Sequence, residues 1–195
     1  MDAINLFILI NIIATFVANV GSAKRSLVSS VTVAKEKPRT YLQKLPLTLS
    51  MLTLVALILA VFQIGTFRYY DSFKIVRLVG FLVYLFFSWI QIISYRKLGK
   101  NYSTEILINK NHQLITNGPF KFIRHPQYIS QILMDFGGGV ATLSYIIIPL
   151  AIIEIPFLIM RGLMEDKLLA KHFNKEFEEF KKKSGFMLPK IKKNL

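Results

Sequence analysis

LPLTLSMLTLVALILAVFQI, residues 45–64, is a run of 20 residues without a charged side chain. That is the length of helix needed to cross a hydrocarbon core of ~30 Å. Pro46 stands at its start, where a helix tolerates proline. Two further apolar runs occupy residues 4–20, without a charge, and 75–95, with Arg77 alone, and a fourth apolar region covers 129–160. The chain as a whole is 53% hydrophobic, with a mean hydropathy of +0.45. An ordinary soluble domain is less apolar, so the class is an integral membrane protein.

The fourth region has 32 residues. As one helix it would be ~48 Å long, and two full spans would need about 40 residues. A short helical hairpin fits better, with its bend near Ser144–Pro149. Gly137, Gly138 and Gly139 would let backbones approach closely there. The expected fold is therefore all-α. It is a multi-pass transmembrane bundle of about five membrane helices, the last two a hairpin, followed by a C-terminal cytoplasmic helix. One domain spans residues 1–195, with three membrane helices in 1–95 and the site-bearing half in 96–195.

The net charge of +14 is unevenly placed. Lys and Arg number six in residues 24–44, three in 68–77, six in 96–124 and ten in 161–193. The positive-inside rule puts the first loop, residues 96–124 and the C-terminus in the cytoplasm, and the 65–74 connection outside. In a chain this apolar the charge points to an anionic membrane face and not to nucleic acid. Lys24 and Arg25 follow the first apolar run. A secretory signal has the reverse order, so this run reads as a retained helix entering from outside. Arg77, in the first turn of the third run, is placed to snorkel outward. Asn11 and Asn19 are read as interhelical or end-facing residues.

Beyond Arg161 the chain turns polar. Leu169, Phe173, Phe177 and Phe180 recur at helical spacing, which predicts one face of a cytoplasmic helix packed on the membrane or on the site. Lys171, Lys175, Glu178, Glu179 and Lys182 fall off that face. The tail from Lys190 to Lys193 reads as a solvated or lipid-facing end.

Chemistry is concentrated in one stretch of 17 residues, His112 to Tyr128. It holds His112-Gln113-Leu114-Ile115, Gly118-Pro119-Phe120 and Arg124-His125-Pro126-Gln127-Tyr128. Gly118-Pro119 is a turn. Pro126 forces His125 off the helix, so its ring can project into a pocket. Arg124, His125 and Tyr128 could together hold a carboxylate. Leu114, Ile115 and Phe120 could form a slot for a flat ring. On the last element, Arg161 and Glu165 share a helix face, either as part of a site or as a surface contact. Asp135 and Glu154 lie inside the hairpin region, where acids are functional candidates by default. Each could instead sit near a helix end or pair with a neighbour such as Tyr145 or Arg161. Other chemistries find little support. There is no Cys, which removes thiolate and Cys-metal sites. Three His residues without a His-Glu-x-x-His spacing give no metal site. No Gly-x-Ser-x-Gly, Walker A or Gly-x-Gly-x-x-Gly pattern is present in a suitable context.

Taken together, His112, Leu114, Gly118-Pro119-Phe120, Arg124-His125-Pro126-Tyr128, Arg161, Glu165-Asp166, Phe173, Glu176-Phe177, Phe180 and Leu188-Pro189 resemble the isoprenylcysteine carboxyl methyltransferase family. The resemblance covers roughly residues 98–191. It implies a multi-pass membrane enzyme that uses S-adenosylmethionine to methylate the C-terminal carboxylate of a prenylated cysteine. Residues 96–195 become the cofactor-binding and catalytic half. His112, Gln113, Leu114, Ile115, Phe120, His125, Pro126, Gln127, Tyr128 and Glu165 would bind the cofactor. Arg161 would face the acceptor carboxylate, with Arg161 and Glu165 the catalytic pair. The partners implied are a lipophilic substrate from the bilayer (prenylcysteine or lipid) and the membrane itself, with no nucleic acid and no metal. Three positions depart from the family tyrosines: Phe120, Phe177 and Phe180. Asn174 stands where the family often has glycine. Related readings are methylation of a phospholipid amine or another small lipophile, an NADPH-dependent membrane reductase, and a scaffold without a nucleotide-type ligand.

Overall fold

The computed structural model describes residues 2–32 and 34–190, without the side chains of residues 21–34. The Lys24–Arg25 pair and the end of the basic tail, residues 191–193, lie outside that description. Among the described residues six α-helices follow one another: α1 (Ala3–Thr32), α2 (Leu45–Val61), α3 (Lys74–Leu98), α4 (Pro126–Ala141), α5 (Ile147–Phe173) and α6 (Lys175–Lys183). Two short antiparallel strands, β1 (Ala34–Glu36) and β2 (Ile108–Asn109), pair Ala34 with Asn109 and Glu36 with Ile108. The architecture is all-α and multi-pass. Among the described residues four helical segments are long and apolar enough to cross a membrane, within Ala3–Val20, Tyr41–Val61, Asp71–Asn101 and Ile147–Phe173.

The hairpin exists, and its arms are unequal. At 16 residues α4 is about 24 Å long, while the 27 residues of α5 reach about 40 Å. The bend falls at residues 142–146, where Leu143 takes φ 51°. It comes earlier than expected, because Pro149 is absorbed in the first turn of α5, where no backbone N–H is needed. Packing of α4 on α3 is backbone-close. A Cβ at Gly137 would lie 2.5 Å from the Tyr84 nitrogen, and one at Gly80 would lie 2.7 Å from the Ala141 nitrogen. Outward faces carry Phe7, Phe16, Met51, Val55, Ile75, Val79, Phe86 and Ile152, all exposed as lipid-facing side chains are.

Three expectations need correction. Arg77 does not snorkel. It is buried, and its guanidinium donates to Ala141 O at 2.8 Å, to Asn5 Oδ1 at 3.1 Å and to Asp2. The Tyr69 ring lies 3.6 Å from its Cζ. The end of α4, at the hairpin turn, offers Arg77 a carbonyl, and staying inside satisfies it better than lipid-facing snorkelling would. Second, the segment from Arg161 onward is not a separate helix, because α5 runs unbroken through it. Third, the Leu169–Phe180 face is not on one helix. Asn174, at φ 47°, breaks the path between α5 and α6. Phe177 and Phe180 still pack with Phe120, Leu169 and Phe173 in one apolar cluster. Asn11 acts between helices, donating to Ser88 Oγ at 3.0 Å.

Candidate functional site

The Arg124-His125-Pro126 turn is held by residues near the other end of the chain. Arg124 N donates to Gly185 O at 2.8 Å, His125 N to Phe186 O at 3.1 Å, and Gly185 N to Phe122 O at 2.9 Å. Pro126 is the first residue of α4, with His125 at φ −123° before it. Phe186 packs edge-on against the His125 ring, with centroids 5.0 Å apart. Gly162 of α5 makes room for both, since a Cβ there would meet Phe186 at 2.9 Å and His125 at 3.3 Å.

This turn faces the C-terminal half of α5 through a chain of polar contacts. His125 Nε2 lies 2.9 Å from Asp166 Oδ1. Arg124 Nε donates to Asp166 Oδ2 at 3.0 Å, and its Nη1 donates to Ser184 O at 2.7 Å. The Tyr128 hydroxyl donates to Glu165 Oε1 and accepts from Arg161 Nε at 2.8 Å. Arg124, His125 and Tyr128 therefore do hold carboxylates, but these are the chain's own Asp166 and Glu165. Arg161 is buried and is not a surface partner of Glu165. Its Nη1 donates to Leu42 O at 3.2 Å and its Nη2 to Thr104 O at 2.7 Å. Arg161 thus ties α5 to the turn before α2 and to the loop after α3. Leu163, two residues on, is exposed, so Arg161 sits level with apolar outer surface.

A cavity opens between these elements. His112, Gln113, Leu114, Ile115, Phe120, Arg124, His125, Gln127, Tyr128, Arg161 and Glu165 all line it. Pro126 does not, and its part is to start α4. Other lining residues carry no local signal in the sequence. Tyr95 and Tyr102 pack across the Gly99 turn with tilted rings, centroids 4.6 Å apart. Residues 103–108 form a wall, which Gln43 pins by accepting from Ile106 N at 2.7 Å and donating to Ile106 O at 2.9 Å. Gln131, one turn beyond Gln127, is findable by helical spacing.

Among the described residues four buried side-chain atoms of this lining have no hydrogen-bond partner: His112 Nδ1, Gln127 Oε1, Glu105 Oε2 and His125 Nδ1, the last 3.5 Å from Glu165 Oε2. Glu105 Oε1 meets Lys37 at 2.7 Å. Burial and the neighbouring His172 push the His112 pKa down to about 4, against the pull of Glu165. His125 goes the other way. Burial opposes its charge, but Asp166 and Glu165 outweigh it and hold its pKa above the usual value. Phe120, Phe177 and Phe180 pack in apolar surroundings where a hydroxyl would find no partner among them. Asp135 and Glu154 are away from both Tyr145 and Arg161. Their contacts are Gln131, which donates to Asp135 Oδ2 at 2.8 Å, and Ser50, which donates to Glu154. Among the described residues no three His, Asp or Glu side chains gather as they would around a metal ion.

Comparison with known proteins adds two findings. The cobalt-zinc-cadmium resistance protein CzcN of Cupriavidus metallidurans is 32% identical over 85 residues, covering 42% of this chain and 38% of that protein. The chain thus matches well under two thirds of that relative's length. A family model matches residues 78–171, beginning inside α3, earlier than the motif alone indicates. That span holds the His112–Tyr128 segment, Arg161 and Glu165, and by it the chain is similar to the isoprenylcysteine carboxyl methyltransferase (ICMT) family, which supports a membrane methyltransferase.

Proposed function

We propose that this protein transfers a methyl group from S-adenosylmethionine to a lipophilic acceptor at the cytoplasmic face of a membrane. The observation that carries the cofactor is the set of orphaned acceptors, His112 Nδ1, Gln127 Oε1 and Glu105 Oε2, in one cavity. Buried polar atoms want partners. A ligand rich in donors supplies them, with an aminopurine, ribose hydroxyls and an α-ammonium. Leu114, Ile115 and Phe120 suit its flat ring. His112, Gln113, His125, Gln127, Tyr128 and Glu165 would hold its polar parts. Bound there, S-adenosylmethionine supplies an electrophilic methyl group on a sulfonium.

The finer acceptor is the C-terminal carboxylate of a prenylated cysteine, with Arg161 facing it. A carboxylate is ionised at neutral pH and needs no base. The residues then have to align it and exclude water. The hydrogen bonds of Arg161 favour a second reading. Each of its nitrogens already donates to a group of the chain, which suits an amine or another lipophile that needs no cation.

Calorimetry on the detergent-purified chain tests the cofactor. S-adenosylhomocysteine should bind at micromolar strength and NADPH should not. Binding of NADPH alone would move the protein to the reductase reading. A farnesylcysteine analogue is the first acceptor to assay.

A further inference from the structure

The outer face of α3 is one continuous stripe. Ile75, Val79, Leu82, Phe86, Trp89 and Ile93 recur at steps of four and three, and each is at least 40% exposed, as the lipid-facing side of a spanning helix is. From Ile75 to Ile93 the stripe covers about 27 Å, close to the ~30 Å of a hydrocarbon core. Its next two steps are Arg96 and Lys97, both exposed and both in the last turn of α3. They stand where hydrocarbon gives way to headgroups.

A third cation comes to this place from another element. The stem of Lys97 lies over Gly118, where a Cβ would stand 3.3 Å from its Cγ and Cε. Gly118 opens the short turn Gly118–Lys121, which ends in the exposed Lys121. Phe122 follows, 60% exposed, with the Lys121 ammonium 6.0 Å from its ring centroid. Among the described residues none of Arg96, Lys97 and Lys121 pairs with an acid, although Lys37, Lys171, Lys181 and Lys182 all do. The carbonyls at the end of α3 favour Arg96 and Lys97. They do not account for Lys121, which is on another element. Three cations without acids, at the end of a lipid-facing stripe and beside an exposed ring, complement a molecule that is anionic at one end and hydrocarbon at the other.

We propose that Arg96, Lys97 and Lys121 bind the phosphate headgroup of an anionic phospholipid whose acyl chains lie along the Trp89–Ile93 face of α3. The site is independent of what the first cavity holds. The Arg96 guanidinium suits two phosphate oxygens at once. The two ammonium groups add charge from α3 and from the turn, with their stems left in apolar contact. A lipid held this way ties the end of α3 to the turn that carries Phe120 into the first cavity.

Trp89 is the one tryptophan of the chain and lies on the stripe about 10 Å below Arg96, so its fluorescence reports the lipid beside it. The full chain is placed in phosphatidylcholine nanodiscs in which a fixed fraction of the lipid is brominated high on its acyl chains, either phosphatidylglycerol or phosphatidylcholine. Quenching should favour brominated phosphatidylglycerol by about ten-fold or more in relative affinity, since each cation beside an anionic lipid is worth about five-fold. The variant Arg96→Gln/Lys97→Gln/Lys121→Gln should be quenched equally by both lipids. Should it fail to fold, Lys121→Gln alone should lower the preference about five-fold. The variant Lys167→Gln/Lys175→Gln/Lys183→Gln removes the same charge from α5 and α6 and should keep the preference. Equal quenching of the wild-type chain, or a preference that survives loss of the three cations, overturns the proposal. So does a preference lost equally in the α5 and α6 variant, which would mean diffuse attraction only. Loss of the preference on adding millimolar glycerol phosphate would make this a site for soluble phosphate esters and overturns the lipid assignment.

Discussion

Two buried arginines divide the molecule between them. Arg77 sits at the closed end of the α4–α5 hairpin, and Arg161 near the middle of α5. Both are almost wholly buried, and both donate to backbone carbonyls and to an acid. Around Arg77 every neighbour answers another. Asn5 Nδ2 donates to Val61 O at 2.8 Å, and Tyr69 donates to Thr142 O at 3.0 Å. Arg161 borders a cavity in which His112, Gln127 and Glu105 keep unpartnered atoms. A buried cation is thus no mark of a site by itself. The mark is the unsatisfied set around it.

The sharpest way to break this contrast is Arg161→Ala. Methyl transfer should fall about 100-fold, by loss of acceptor alignment, while S-adenosylhomocysteine binding to the folded protein should survive. If turnover is unchanged, Arg161 is as structural as Arg77. The converse variant, Arg77→Ala, should lower stability by about 3 kcal/mol, because Asp2, Asn5 and Ala141 O lose their common donor. Thermal melting measures that, and cofactor affinity should not move. Next in size, Glu165→Ala should weaken S-adenosylhomocysteine by about ten-fold in calorimetry. It also strips partners from Tyr128, Arg161 and His125.

The two histidines give a smaller, pH-dependent signature. His112 has a folded pKa of about 4, below its unfolded value. Between the two the unfolded chain binds the extra proton, so stability rises with pH from about 4 to about 6.5. His125 has a folded pKa above its unfolded value. Its contribution is full below about 6.5 and is lost as pH rises through the folded value. Melting temperature should therefore peak near neutral pH. His112→Gln should flatten the acid limb, and His125→Gln the alkaline one. The smallest effect is expected from Asn174→Gly. It relieves a left-handed residue between α5 and α6 and should add about 1 kcal/mol.

The helices are legible because lipid-facing spans are contiguous in sequence, and residues 45–64 need no partner to be read. The site is half legible. His112 to Tyr128 and Arg161 with Glu165 carry unusual residue types at fixed spacings. The rest depends on distant contacts. Asp166 looks like any acid after Glu165 until Arg124 closes on it from 42 positions away. Glu105 is a lone acid in a loop until Gln43 pins the neighbouring Ile106. Arg77 misleads because its partner carbonyl, Ala141 O, belongs to a turn whose position no local pattern fixes. The Leu169–Phe180 periodicity is real as an apolar surface but silent about Asn174, since a side-chain pattern survives a sharp change of backbone direction when both pieces pack on Phe120.

The hydrogen bonds from residues 124 and 125 to residues 185 and 186 have a consequence in time. During synthesis, all four apolar spans are made before Ser184, Gly185 and Phe186 exist. Until then Arg124 lacks the Ser184 carbonyl, the His125 ring lacks its Phe186 cover, and the α4 entrance has no anchor. A chain stopped before Ser184 would hold every apolar span and still leave the start of α4 without its tie.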